Sequence, residues 1–408
     1  MEFLKVDTLE NARQKLLTAA GEFLPQTHWL SLEKAHGQIL AQDIIAKENV
    51  PNFRRSTVDG YACLSKDTAA AGEGIPAFLT LTGSVEMGEE ATLPLNSGEC
   101  IEVPTGAMLP DGADGVAMVE YCEVFGDQVA IYKSISHGEN LVQVGEDIQL
   151  GTPLLAKGKK LCASDIGALC ATGITKVNVY TPPKITIIST GDELVPPNHK
   201  TPPGKVRDIN TYTLSELSKE KGFEVIELII LKDQKQLLEE VLQNSMKTSD
   251  IVVISGGSSQ GEKDLTAKTI DKVSSPGVFT HGLAIKPGKP TIFGCDQTSN
   301  TLFVGLPGHP VAAMVVFELI LAWLYQTLTK APKKMPIPAN LSTNAPAADG
   351  KLTVYPCALE LGKEGYIATP LFGKSGLITT LTNAHGYFII DRDVEGLKKG
   401  ETVWVHSF

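Results

Sequence analysis

Cysteine is sparse and unpatterned in this 408-residue chain. Its seven thiols (Cys63, Cys100, Cys122, Cys162, Cys170, Cys295, Cys357) are odd in number and never in C-x-x-C spacing. That argues against a disulfide scaffold or a structural zinc site, and predicts reduced, buried, inert thiols in a cytoplasmic protein. The histidines form no H-x-x-H or H-x-x-x-H pair, which argues against a zinc enzyme. Positive charge is short as well, with 36 Lys and Arg against 47 Asp and Glu for a net charge of -11. A general nucleic-acid binder needs a clustered basic face that this composition does not readily supply. The opening MEFLKVDTLENARQKLL sets acids beside its apolar residues, so it predicts an amphipathic helix and not a signal peptide. The most membrane-like run, residues 310–328, carries Glu318 near its centre. A mid-bilayer carboxylate costs about 2.5 to 3.5 kcal/mol, so a helix buried against a sheet or a subunit partner is expected, and no membrane association.

Turn-formers are abundant, with 38 Gly and 24 Pro, and the length calls for two to four domains. Residues 9–20 and 30–40 read as helices, the second entered through Ser31. Residues 50–142 carry short alternating stretches (78–82, 99–103, 115–119, 129–132) broken by Gly, Pro and Asp, a β-rich pattern. A short helix over 164–171 and a strand over 177–180 follow. Strands over 184–190, 224–231, 250–255 and 301–305 then alternate with helices over 211–221, 234–247, 265–273 and 310–328. This alternation predicts parallel βαβ units with both sheet faces covered. A Pro/Lys linker at 329–338 leads to short β segments ending in ETVWVH.

Ligands of open parallel sheets bind beyond the carboxyl ends of the strands, so the loops there are the first place to seek chemistry. Thr190-Gly191-Asp192-Glu193-Leu194 follows the first strand, residues 255–264 (SGGSSQGEKD) the third, and Gly305-Leu306-Pro307-Gly308-His309-Pro310 the last. The Gly256 to Gly261 loop feeds a helix N-terminus, which suits an oxyanion. Glu262-Lys263 replaces the Gly-Lys-Ser/Thr of a P-loop, and no G-x-G-x-x-G follows any strand. Asp192, Glu193, Asp233 and Asp264 crowd the same edge, and like charges together call for a cation such as Mg²⁺. Lys286 and Lys289 lie in a proline-held turn, IKPGKP, and His309 alone among the histidines falls in a strand-end loop.

Seven segments in order resemble the molybdopterin molybdenumtransferase family, MoeA in bacteria and the gephyrin E domain in animals. They are VDGYA at 58–62, PTGAMLPDGAD at 104–114, GEDI at 145–148, TGDEL at 190–194, SGGSSQGEKD at 255–264, IKPGKP at 285–290 and GLPGHPV at 305–311. The resemblance implies a multidomain α/β plus β fold. A helical and extended domain would comprise residues 1–45 and 143–183, and an inserted β-rich domain 46–142. A central βαβ molybdopterin-binding domain with a parallel sheet would span 184–330, and a C-terminal β-barrel 331–408. It implies a homodimer, with a possible upstream adenylyltransferase as partner, that takes adenylyl-molybdopterin and molybdate with Mg²⁺ and yields molybdenum cofactor and AMP. By the same resemblance Glu193, Asp233 and Asp264 hold Mg²⁺, while Gly256, Gly257, Ser258 and Gly261 cradle phosphate. Lys286, Lys289 and Ser375 form the molybdate pocket beside Pro307, and Asp59, Thr105 and Asp147 act across the dimer. Asp59, Glu193, Asp264 and Lys286 are the catalytic candidates, and these acids, lysines and amides are expected to converge in one pocket.

Departures from the family pattern thin the positive charge or alter the loops. Val58 replaces a methionine, Gln260 an apolar residue and His309 an asparagine; residues 141–143 lack an arginine, and Gly282 stands where some members have lysine. The alternatives are therefore a tungstate-preferring paralogue, a non-catalytic molybdopterin-binding or scaffolding protein, and a generic phosphate-binding enzyme.

Overall fold

The computed structural model describes residues 6–21, 23–256 and 263–408, without the side chains of residues 263 and 264. The chain divides into two compact units, one of residues 29–157 with 161–177, the other of everything else. Helix α1 (Leu9–Ala20) starts where the Thr8 hydroxyl accepts the Asn11 N–H, and buries Leu9, Ala12, Leu16 and Ala20 along one stripe. The 30–40 segment departs from expectation. A strand over Thr27–Ser31 precedes a helix of four residues, Leu32–Ala35, after which Gly37 turns the chain at φ 78°.

The unit beginning at Trp29 contains a six-stranded sheet in the order β4-β1-β3-β2-β6-β5. Its strands are β1 (Gly60–Cys63), β2 (Ala77–Ser84), β3 (Glu99–Val103), β4 (Gly115–Met118), β5 (Cys122–Phe125) and β6 (Gln128–Ile131). Alternating side chains feed two cores. Ala62, Ile101, Val103 and Val116 pack on one face, and Tyr61, Cys63, Leu79 and Val129 on the other. Burial pushes the Cys63 and Cys100 thiols up to about 12, so both are inert at neutral pH. The expectation of cysteine burial is met only in part at Cys122 and fails at Cys162 and Cys170, which are exposed, the first just before and the second in the last turn of helix α2 (Ala163–Ala171).

The other unit holds the strongest sequence signal. Strand β7 (Lys184–Thr190) is buried at every position but its first. It leads to α3 (Asn210–Glu220), β8 (Glu224–Leu231), α4 (Lys235–Ser245), β9 (Ile251–Gly256) and α5 (Lys263–Val273). Then come β10 (Pro276–His281), β11 (Ile285–Lys286), β12 (Ile292–Asp296), β13 (Thr301–Leu306) and α6 (Pro310–Thr329). The sheet order is β8-β7-β9-β13-β12-β10. The four expected strands are parallel to one another, but β12 and β10 extend the sheet antiparallel. Ile188, Leu238, Leu242, Val252, Ile254, Ile270 and Phe303 fill one face. Each such side chain stabilises by about 1.5 to 3 kcal/mol when fully buried.

Helix α6 is long and apolar enough to cross a membrane, yet most of it is buried within this unit. A π turn at Glu318–Ala322 interrupts it, and there Lys221 pairs with the buried Glu318, whose carboxyl burial pushes upward. The last part of the chain supplies β14 (Ile337–Leu341), β15 (Leu352–Gly362), β16 (Gly365–Pro370), β17 (Gly386–Ile390) and β18 (Thr402–Val405). They form a curled sheet in the order β11-β15-β16-β14-β18, with β17 also on β15, and Tyr387 pairs with His406 just past the last strand. Strand β11 therefore belongs to this curled sheet although it is threaded between strands of the parallel one.

Candidate active site

That threading builds a cleft. Ile285 pairs with Leu352 and Lys286 with Thr353, so the backbone of the IKPGKP turn is an edge of the C-terminal sheet. Its other side rests on α6. A Cβ at Gly288, where φ is 122°, would lie 2.5 Å from Val316 Cγ2, so glycine is needed for the turn to seat. The turn, the Pro307-Gly308-His309 loop after β13, and the Leu371–Ser375 stretch after β16 enclose about 760 Å³. Four lysines line this space (Lys286, Lys289, Lys351, Lys374), with His309 and Ser375, and no Asp or Glu lines it among the described residues. Tyr355 and Phe372, edge to face at 5.5 Å, form an apolar wall. His309 Nδ1 lies 2.8 Å from Ser375 Oγ, and the Val311 N–H donates to the Ser375 carbonyl at 3.2 Å.

The acids occupy the neighbouring strand ends. Gly191 follows β7 and donates its N–H to the Leu231 carbonyl, and the Asp192 N–H donates to Asp233 Oδ2 at 3.1 Å. These bonds tie the loops after β7 and β8 together. The Glu193 carboxylate folds back until its oxygens lie 2.8 and 2.9 Å from where a Gly191 Cβ would stand. Asp233 shares a small niche with Thr190, Leu265 and Thr266, which brings it to the start of α5. Asn210 joins this edge to the cleft, donating to Ser255 Oγ at 2.7 Å and to the Gly308 carbonyl at 2.8 Å. Its own Oδ1, and Oδ2 of the buried Asp208, have no hydrogen-bond partner among the described residues.

Gly256 closes β9 at φ 146°, and a Cβ there would meet the Thr190 carbonyl oxygen at 2.1 Å. Gly256→Ala is expected to cost about 2 to 3 kcal/mol through backbone strain and displacement of Thr190. Chemical denaturation measures it, and an unchanged midpoint would show that this strand end relaxes freely.

In the other unit the Asp59 carboxylate accepts the Thr105 N–H at 2.7 Å and the Thr105 hydroxyl at 2.8 Å. These bonds, the backbone one first, hold its carboxyl below the usual carboxylate range. Asp147 is an exposed turn residue whose N–H donates to the Val50 carbonyl.

The structure thus brings Lys286, Lys289, Pro307 and Ser375 together in one cleft, and Asp59 together with Thr105. Glu193, Asp233 and Gly256 fall at the adjoining strand ends and not among the residues that line the cleft. Gly257, Ser258, Gly261 and the Asp264 side chain lie outside the described residues. Lys351, Lys374 and Asn210 escaped the sequence reading. Lys351 is brought in by pairing between β11 and β15, which no local pattern announces.

A multidomain chain with a basic cleft beside acidic strand ends has the charge arrangement of proteins that handle small anionic ligands. Family models match the MoeA N-terminal region (domain I and II) over residues 7–173, a probable molybdopterin binding domain over 186–327, and the MoeA C-terminal region (domain IV) over 338–408. Molybdopterin molybdenumtransferase of Haemophilus influenzae is 31% identical over 98% of both chains. Gephyrin of Dictyostelium discoideum is 34% identical over 71% of this chain and 45% of its own length. The solved molybdopterin biosynthesis MoeA protein of Pyrococcus horikoshii, 36% identical, covers 99% of each chain with a TM-score of 0.87. The chain belongs to the molybdopterin molybdenumtransferase family.

Proposed function

We propose that this chain is an enzyme of molybdenum cofactor biosynthesis that inserts molybdate into adenylyl-molybdopterin and releases AMP. The observation that carries the reading is the cleft, where four lysines line one space without a carboxylate among the described lining residues, in a chain of net charge -11. Like charges so gathered repel unless an anion joins them, and a tetrahedral dianion answers that charge. Lys286 and Lys289 hold the molybdate with Ser375, beside Pro307. Lys286 takes its place through the β11 edge pairing, which fixes its backbone and leaves its side chain exposed.

Glu193, Asp233 and Asp264 would hold Mg²⁺. Among the described residues no three His, Cys, Asp or Glu side chains form a metal cluster, and the third member of this set has its side chain outside them. The donor chemistry fits the ion nonetheless. Glu193 and Asp233 offer carboxylate oxygens on two loops locked by the Asp192 N–H, and hard oxygen donors suit Mg²⁺. The ion would supply charge neutralisation at the phosphates. Gly256 ends its strand at a φ of 146°, and Gly256, Gly257, Ser258 and Gly261 would present backbone amides to phosphate. A water oxygen adds to phosphorus as the phosphoanhydride P–O bond breaks, giving AMP and the phosphate of the cofactor, and the two dithiolene sulfurs replace one oxygen of molybdate, which leaves as water with the two thiol protons. Electrostatic neutralisation is what lets two anions approach.

Asp59 and Thr105, already bonded to each other, and Asp147 would contribute from the partner subunit of a homodimer.

Expression in a bacterial strain lacking its own transferase, scored by nitrate reductase activity, tests the reading together with molybdate-dependent AMP release in vitro. Rescue with AMP release is expected. Molybdopterin binding without rescue or AMP release would instead identify a scaffold, and tungstate outcompeting molybdate during AMP release would identify a tungsten-preferring paralogue.

A further inference from the structure

Ser375 is held twice by the loop that opens α6. Its carbonyl accepts the Val311 N–H at 3.2 Å, and its Oγ lies 2.8 Å from His309 Nδ1. Both side chains line the lysine cleft. The imidazole stands beside the next residue, where a Cβ on Gly376 would sit 3.7 Å from His309 Cδ2. The ring is exposed, and its hydrogen bond to Ser375 is the contact that orients it.

The direction of that bond decides what the serine can do. A hydroxyl has one proton. If Ser375 donates to Nδ1, none remains for an anion; if Nδ1–H donates to Oγ, the hydroxyl proton is free to point into the cleft. A ring nitrogen carrying hydrogen on Nδ1 does this whether the imidazole is the neutral Nδ1–H tautomer or fully protonated. An anion among the lysines stabilises the arrangement that offers it one more donor, so occupancy and tautomer are coupled.

We propose that His309 is a positioning residue: its Nδ1–H holds Ser375 Oγ as an acceptor and so presents the Ser375 O–H to the tetrahedral oxyanion bound by Lys286 and Lys289. The proposal rests on the cleft being the oxyanion site. His309 replaces the asparagine usual in the family, and an asparagine amide N–H reaches the same place as Nδ1–H. Asparagine carries its amide nitrogen on Cγ just as histidine carries Nδ1, so the imidazole N–H can take the place of that amide N–H.

The test is molybdate titration of the full-length protein by calorimetry, with the molybdate dependence of AMP release as a second readout. Ser375→Ala is expected to weaken molybdate binding about tenfold, the loss of one hydrogen bond to a charged group. His309→Leu should weaken it similarly and raise the molybdate KM more than it lowers kcat. In the Ser375→Ala background His309→Leu should add less than about twofold, because residues that act through one another are not additive. His309→Asn should restore affinity to within about twofold of the unsubstituted protein, which loss of packing alone does not predict. Full additivity of His309→Leu with Ser375→Ala, or His309→Asn binding as weakly as His309→Leu, overturns the proposal. So does unchanged affinity in His309→Leu while the unsubstituted protein binds molybdate. If the unsubstituted protein binds no molybdate, the cleft reading itself falls.

Discussion

Glu193→Gln, and separately Asp264→Asn, are expected to reduce AMP release from adenylyl-molybdopterin by about 10² to 10³-fold, the scale of losing one preorganised electrostatic contact at a reacting anion. The sign of the effect is diagnostic. An acid beside a phosphate with no cation between them repels it, so neutralising that acid should tighten binding of the adenylate and leave or improve turnover. Loss of turnover instead means that the carboxylate acts through a bound cation. The half-saturating Mg²⁺ concentration for AMP release should accordingly rise in Glu193→Gln, and chelation should abolish release in the unsubstituted protein. Folding should be spared, because Glu193 is exposed at the end of β7 and makes no core contact. Undiminished AMP release with unchanged Mg²⁺ dependence would remove Glu193 and Asp264 from the reaction.

The parts of this fold that the sequence announces are those whose signal is local. The β-branched run at β7 and the VVI of β9 are buried on both faces, and a continuous apolar run is what such strands require. Strands β10 and β12 were missed because Pro276, Gly277 and Gly294 interrupt them, and these residues ordinarily mark turns. The 30–40 stretch misled in the opposite way. Its composition suits a helix, but the chain pairs Thr27–Ser31 as a strand and then turns at Gly37. Long-range pairing overrode local propensity there.

The candidate site divides similarly. Lys286, Lys289 and the loop after β13 stand in compact Gly/Pro motifs, and the resemblance could place them. Lys351 and Lys374 come from the weakly patterned last part of the chain; Lys351 reaches the cleft because β11 pairs with β15 some 67 positions later (352 − 285), and Lys374 lies beside Ser375, whose carbonyl accepts the Val311 N–H of α6. Asn210 was invisible for a further reason. It reads as a helix-start residue, and its use lies in two bonds that join Ser255 to Gly308 across separate strand ends. The expectation of a single pocket is answered by two adjoining groups, cations in the cleft and acids at the strand ends, with Asn210 between them.

Removing the charge on Lys286 and Lys289 together, as Lys286→Met with Lys289→Met, is expected to weaken molybdate binding by about 10² to 10⁴-fold, since each charge-assisted hydrogen bond contributes roughly 1.5 to 3 kcal/mol. Methionine keeps the aliphatic stem, so the change isolates the ammonium groups. Stability should hold or rise slightly. Both lysines are exposed, and each shares the cleft lining with other cations, so without an anion present their removal relieves repulsion. That opposition separates a binding site from a structural cluster: a structural pair would lose stability when neutralised, whereas an unfilled anion site loses ligand affinity alone. The single substitutions grade the effect. If Lys351 and Lys374 complete the same site, added salt should weaken molybdate binding in each single variant and still more in the unsubstituted protein, because screening acts on every charge that remains. Molybdate affinity measured at low and high ionic strength, with thermal midpoints in its absence, decides the matter. An affinity that survives the double substitution would move the oxyanion out of this cleft and take the lysine-based reading of the site with it.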